Sequence, residues 1–270
     1  MLSKKVTQSG LEYYDNNILS SSVFILVGGL GDSMDGFYVD SMMQFGIKNN
    51  HRVLSVGLRS MPHYGLYTID DDVQDINSFY TDLEIEGYEY VWFIGHSTGC
   101  QVLMLYSMRK KMKENETIVL QAPVSDREHA ESKSVNVKEK IKVAQKLVEM
   151  MNENEGMILY LSHEEGIIRA DRFISLFMEG GKEDFFSLGQ STKHLNPSNA
   201  KIFSILSTED EYVVSPIDKI VEHLKSIAGM EDVYLVRSNH GFTGEHGSTG
   251  LSDFLQIISC IIAKSGYINK

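Results

Sequence analysis

Residues 90–106, YVWFIGHSTGCQVLMLY, begin as a β-strand and end as a helix. The break falls at GHSTG, where Ser97 stands between Gly95 and Gly99. A serine presented at a tight strand-to-helix turn needs a strained backbone, and flanking glycines let neighbouring main chains pack closely. The following helix points N–H groups and its positive dipole end at Ser97. The stretch predicts a nucleophilic serine at a strand end. The alternative is a glycine-rich turn in which the serine has no chemical role.

Apolar runs of the same kind recur along the chain and alternate with amphipathic stretches. They are VFILVGG at 23–29, HRVLSVGL at 51–58, YVWFIG at 90–95, TIVLQAP at 117–123, KIFSILS at 201–207 and DVYLVRS at 232–238. Continuously apolar strands are typical of a sheet covered on both faces. Alternation of strand and helix indicates parallel strands with right-handed crossovers. We therefore predict an α/β fold with a mostly parallel, doubly wound sheet.

One long connection, from Pro123 to Lys201, interrupts this alternation. It carries a helical pattern of its own from Asn136 onward, with apolar residues at helical spacing. We predict that residues 126–199 form a helical lid inserted into a single domain that spans 1–270. The methionines and phenylalanines of this segment fit either a helical core or, in part, an acyl pocket.

A nucleophilic serine needs a base and an orienting acid, which in this arrangement follow it in the order acid, then histidine. Asp210 follows the run KIFSILS and His240 follows DVYLVRS, so both lie at strand ends on the sheet edge that carries Ser97. The order predicts a Ser97–Asp210–His240 triad. A solvated acidic turn at Asp210 and an ordinary loop histidine at His240 are the alternatives, and His246 is the less favoured base.

Two backbone N–H groups are expected to hold the negative oxygen that forms during attack on a carbonyl. Thr98, directly after the serine, supplies one of them. The loop LVGGLGDS at 26–33 is placed to supply the other, from Leu30 or Gly29. A dinucleotide fingerprint would need a glycine where Met34 stands, and a phosphate loop would need a lysine that this loop lacks.

Composition narrows the classes of function. The chain has 25 basic and 37 acidic residues and a net charge of −12, which disfavours nucleic acid and anionic membranes as partners. Neither a signal peptide nor a spanning helix is evident. Cys100 and Cys260 are too few for a disulfide framework and are expected to be reduced, buried thiols. Because no cluster of ligand-type residues has metal spacing, we expect no metal or cofactor. We also expect a cytoplasmic protein, and we leave its oligomeric state open.

Four segments together resemble a known family. GHSTGCQVLMLY at 95–106, VGGLGDS at 27–33, LQAPVSDRE at 120–128 and STEDEYV at 207–213 are similar to the siderophore-esterase-like branch of the α/β hydrolases, which includes many uncharacterised eukaryotic proteins. The resemblance covers most of the core and weakens in the lid. It implies the α/β-hydrolase fold, a triad at Ser97, Asp210 and His240, and hydrolysis of a small-molecule ester. Val102 departs from the aspartate frequent in that branch, which concerns the siderophore substrate and leaves the triad unchanged.

Charged residues at strand ends complete the predicted site. Asp32, Arg59, Asp126 and Arg127 fit either an ion-pair network that positions the lid or recognition of a polar part of the substrate. His96 is expected to hold the turn and not to act as a second base. The predicted function is that of a serine esterase working through an acyl-enzyme. A noncatalytic ligand-binding protein, an acyltransferase and an amidase on the same site are the alternatives.

Overall fold

The computed structural model describes residues 3–36, 38–134, 136–163, 166–193, 195–196 and 199–267. Its strands are β1 (Ser3–Val6), β2 (Glu12–Asp15), β3 (Ser22–Val27), β4 (Arg52–Val56), β5 (Tyr90–His96), β6 (Glu116–Gln121), β7 (Tyr160–His163), β8 (Gly166–Arg169), β9 (Lys201–Ser207) and β10 (Met230–Val236). Its α-helices are α1 (Val39–Asn49), α2 (Ile69–Asp82), α3 (Thr98–Arg109), α4 (Asp126–Lys133), α5 (Val137–Glu153), α6 (Ala170–Phe177), α7 (Ile217–Lys225) and α8 (Gly247–Lys264).

One sheet organises the chain, with strand order β1-β2-β4-β3-β5-β6-β9-β10. The pairs from β4 through β10 are parallel, whereas β2 joins both of its neighbours antiparallel. In β3, Val23, Ile25 and Val27 pack in the core layer of α2, α3 and α7, and Phe24 and Leu26 pack in that of α1 and α8. Successive residues of a strand face opposite sides, so an uninterrupted apolar run fills both layers. The predicted doubly wound α/β fold is confirmed.

Two features of the sheet differ from the sequence prediction. The hairpin β1–β2 was not predicted, because its strands have only four residues each and few apolar ones. The last strand, β10, was predicted to be covered on both faces, and that is wrong. It lies at the edge of the sheet, where Leu235 is 51% exposed.

Between β6 and β9 the chain forms α4, α5, the hairpin β7–β8 and α6, which we call the inserted segment. Residues of α5, β8 and α6 share a small core of their own. Within α6, the guanidinium of Arg172 is buried and lies 3.0 Å from Asp72 of α2 and 2.6 Å from Glu183. The ion pair with Asp72 joins the inserted segment to α2, and the pair with Glu183 joins α6 to the chain that follows it. Its role as a lid stays a prediction.

The remaining sequence expectations concern cysteines and membranes. Cys100 is buried in α3, as predicted. Cys260 is exposed, contrary to the prediction, because Ile258, Ile261 and Ile262 occupy the inward side of α8 and Cys260 falls on the outward side. In the described part of the chain no helix is long and apolar enough to cross a membrane. The cytoplasmic location stays a prediction.

Candidate active site

Ser97 occupies the turn between β5 and α3 and has the unusual backbone angles φ 52° and ψ −122°. Holding a non-glycine residue there costs about 1–3 kcal/mol, which the surrounding packing must offset. A Cβ on Gly95 would lie 2.6 Å from the carbonyl oxygen of Gly99, and one on Gly99 would lie 2.4 Å from that of Val27. Neither position has room for a side chain. Gly99 therefore allows the turn to pack closely on β3, and Gly95 allows the strand and the start of α3 to pack closely on each other.

Asp210 and His240 lie in the loops that follow β9 and β10, and they form a pair. The Nδ1 of His240 is 2.7 Å from Oδ2 of Asp210, and both side chains are buried. The peptide N–H of His240 also donates to Glu211 at 3.0 Å. With Nδ1 bound to the carboxylate, Nε2 is the ring nitrogen left for a proton transfer. His246 pairs instead with Glu209, at 2.9 Å.

Asp32 connects the loop that follows β3 to His96, which directly precedes Ser97. Its Oδ2 accepts a hydrogen bond from the N–H of Gly29 at 2.7 Å and lies 2.9 Å from Nδ1 of His96. Burial raises the pKa of Asp32, but the bonds with His96 and Gly29 outweigh it and the net pKa is lowered. The carboxylate of Asp32 holds the ring of His96 in place. That ring packs beside the ring of His240, with the centroids 4.7 Å apart.

The two N–H groups predicted as the second oxyanion donor differ in their hydrogen bonding. The N–H of Gly29 already donates to Asp32, so it is not available to a ligand. Leu30 is the alternative, and its N–H has no hydrogen-bond partner among the described residues. A Cβ on Gly29 would lie 2.8 Å from Cβ of Ser97, which shows how closely this loop passes the serine. Thr98 begins α3, so its N–H has no carbonyl partner within the helix.

A cavity of about 510 Å³ opens onto these groups, with Leu30, Ser97 and His240 in its lining. The inserted segment forms much of the wall. The apolar side chains that this segment contributes are Ala130, Val137, Phe173 and Phe177, and the basic ones are His129, Lys133, Lys140 and His163. Tyr212, two residues after Asp210, also lines the cavity, and its ring meets that of His240 in a T-shaped arrangement with the centroids 4.7 Å apart.

Of the four charged candidates, Asp32 and Asp126 line the cavity. Oδ2 of Asp126 is buried without a hydrogen-bond partner among the described residues, and burial raises the pKa of this carboxyl to about 6. Arg59 and Arg127 do not reach the site. Arg59 bonds Asp75 at 2.8 Å and Arg127 bonds Asp184 at 2.9 Å, so both belong to ion pairs. For these two arginines the structure favours the ion-pair alternative.

Sequence reasoning missed several lining residues. Tyr212 stands in the quoted run STEDEYV, so its neighbourhood to Asp210 was a usable signal. Lys133, Lys140 and His129 follow no motif, because their position depends on how the inserted segment folds back. Among the described residues, no group of three or more His, Cys, Asp or Glu side chains is placed to hold a metal ion.

Comparison with known proteins finds solved structures with a similar fold. The siderophore hydrolase EstB from Aspergillus fumigatus is 15% identical, with a TM-score of 0.74 and coverage of 98% of each chain. Alpha/beta hydrolase domain-containing protein 10 from mouse is 12% identical, with a TM-score of 0.66 over 98% of this chain and 99% of that one. Est1E from Butyrivibrio proteoclasticus is 12% identical, with a TM-score of 0.61 over 97% and 99%.

At these identities the likeness establishes the fold alone, which is that of the α/β hydrolases. No curated protein matches the chain by sequence. A family model described as "Protein of unknown function (DUF1749)" matches residues 3–236, most of the chain. The chain therefore belongs to the DUF1749 family.

Proposed function

We propose that the protein is a serine hydrolase that cleaves carboxylic esters of small molecules through an acyl-enzyme. The observation that carries the proposal is the placement of three groups. Ser97 stands in a strained turn, His240 lines the same cavity as Ser97, and Nδ1 of His240 bonds Asp210 at 2.7 Å. Structural neighbours that are themselves hydrolases and esterases support the general class.

In the proposed mechanism, Nε2 of His240 takes the Ser97 proton as the hydroxyl oxygen attacks the ester carbonyl. Asp210 keeps the proton of the imidazole on Nδ1 and stabilises the imidazolium that forms. The N–H groups of Thr98 and Leu30 donate to the oxyanion. Collapse of the tetrahedral intermediate breaks the ester C–O bond, and His240 protonates the departing alcohol. Water then repeats the sequence on the acyl-enzyme and releases the acid.

Asp32 has a supporting role in this proposal. By holding Gly29 and His96 at once, it joins the loop that carries the Leu30 donor to the turn that carries the nucleophile. Donors that are fixed before the reaction need no reorganisation as charge develops, which is the main source of their effect.

A fluorophosphonate probe tests the proposal, because it reacts with activated serines. The folded protein should gain one probe mass, located on Ser97 by peptide mapping, and the Ser97→Ala variant should gain none. Ser134 lines the same cavity, so Ser134→Ala is the matched control and should still be labelled. A folded wild-type protein that stays unlabelled between neutral and mildly alkaline pH would support the noncatalytic binding alternative. Acyl transfer and amide cleavage use the same serine and are separated by analysing the products formed with added alcohols and with anilides.

A further inference from the structure

Two lysines from the inserted segment border the cavity that contains Ser97. Lys133 is the last residue of α4, and Lys140 lies in the first turns of α5. Lys133 is exposed and Lys140 half-buried, so both belong to the part of the cavity that meets solvent. The two ammonium groups are therefore within reach of a ligand that extends outward from the serine.

Neither lysine has a carboxylate partner within the described residues, whereas the exposed Lys182 pairs with Asp70. Two carboxylates line the same cavity, but neither neutralises the lysines. Asp32 is engaged by Gly29 and His96. Oδ2 of Asp126 accepts no hydrogen bond from any described residue. Within the described part of the chain, neither lysine therefore takes part in an ion pair.

The chain as a whole carries a net charge of −12, so its long-range field repels anions. Attraction of an anion must then come from local contacts, which the two lysines are placed to make. The same lining also contains the apolar side chains of Val137, Phe173 and Phe177. A ligand that satisfies every part of this lining has an ester, an apolar middle and an anionic end.

We propose that the substrate is an ester that carries a carboxylate remote from the scissile bond, and that Lys133 and Lys140 bind this carboxylate. The inference rests on the proposed hydrolase function and specifies its substrate class. It also predicts that the acid belongs either to the acyl part or to the alcohol part of the ester, since the attacked carbonyl lies between them.

Paired esters test the proposal. On the acyl side, the p-nitrophenyl monoester of suberate is compared with the same ester whose free acid is capped as a methyl ester. On the alcohol side, 4-acetoxyphenylacetate is compared with its methyl ester. In at least one pair the wild-type kcat/KM should favour the anion about tenfold, as expected for two solvent-accessible charge contacts. Added salt should lower this ratio, because exposed charges are screened.

Substitutions assign the preference to the lysines. The double variant Lys133→Gln/Lys140→Gln should bring the ratio of the anionic to the neutral ester close to one. Lys138→Gln is the matched control, because Lys138 lies in α5, as Lys140 does, but is exposed and does not line the cavity. This variant should keep the wild-type ratio. A wild type that hydrolyses the neutral esters without preferring an anion in either pair would refute the proposal. A preference unchanged in the double variant would refute the assignment to these lysines.

A binding measurement separates failure of this inference from failure of the proposed function. Calorimetry on Ser97→Ala compares monomethyl suberate, which is an anion, with neutral dimethyl suberate. Tighter binding of the anion, lost in the background of the double variant, supports the lysine site even if wild type hydrolyses no ester and takes up no fluorophosphonate. In that outcome the hydrolase proposal fails and the anion site stands. Equal binding of both suberates, together with equal binding of 4-acetoxyphenylacetate and its methyl ester in the same assay, refutes the site whatever the catalytic result.

Discussion

Replacing Gly29 with alanine should disable the site while leaving the fold in place. The added Cβ would lie 2.8 Å from Cβ of Ser97, 3.2 Å from the carbonyl oxygen of His96 and 3.3 Å from Oγ of Ser97. Carbon atoms in contact normally stay about 3.5 Å apart or more, so the first distance must lengthen by roughly 0.7 Å. The buried strand β5 cannot yield easily. The displacement therefore falls on the Ser97 turn or on the loop that presents the N–H of Leu30.

Such a shift acts directly on the geometry of the reaction. A misplacement of about 1 Å costs about 100-fold, so we expect kcat/KM to fall by about 10- to 100-fold, or about 1.4–2.7 kcal/mol of transition-state stabilisation. Overpacking should lower the free energy of unfolding by about 1–3 kcal/mol. Hydrolysis of a p-nitrophenyl ester and urea denaturation measure the two effects. Gly87→Ala is the control, since a Cβ there meets no atom within 4 Å and φ is not positive. A folded Gly29→Ala enzyme within about threefold of wild type would show that the reasoning about this contact is wrong.

Three further substitutions have definite expected outcomes. His240→Ala should lower kcat by several orders of magnitude, to the level of Ser97→Ala, while His246→Ala stays near wild type; the reverse result on a short activated ester would move the base to the other histidine. Burial raises the pKa of Asp126 to about 6, so its negative charge, which favours the imidazolium of His240, develops as pH rises through about 6. Asp126→Asn removes that charge and should move the acid limb of the kcat/KM profile down by roughly 0.5–1 pH unit, and an upward shift would contradict this sign. Arg172→Met leaves two buried carboxylates without their cation, so the free energy of unfolding measured in urea should fall by about 3–5 kcal/mol. A fall of less than about 1 kcal/mol would contradict this reasoning.

The core of the fold was predictable because its signal is local. The strand β3 is apolar at every position after Ser22, and residues 90–106 show the change from strand to helix directly. The hairpins β1–β2 and β7–β8 were not predictable in the same way. Their strands have four residues each, with polar and apolar residues mixed, and they form because partner strands lie beside them. Pairing of that kind depends on tertiary contacts.

The candidate site divides along the same line. Ser97, Asp210 and His240 follow strands that are readable from the sequence, so their positions on one edge of the sheet were predictable. The bond from Asp32 to His96 joins residues far apart in the chain, and no spacing indicates it. Arg59 looked like a candidate for the rim, but its guanidinium turns to Asp75 of α2. Side-chain direction and long-range pairing were the missing information.

The buried ion pairs of Arg172 have a consequence for the thermodynamics of ligand binding. Arg172 directly precedes Phe173 in α6, and Phe177 lies one turn further along the same helix. Pulling this helix outward would separate a buried cation from its two carboxylates, which is strongly unfavourable. The aromatic wall of the cavity is thus preorganised before a ligand arrives. Little conformational entropy is lost in ordering it, so more of the gain from burying apolar ligand surface remains as affinity, with the negative heat-capacity change that such burial produces.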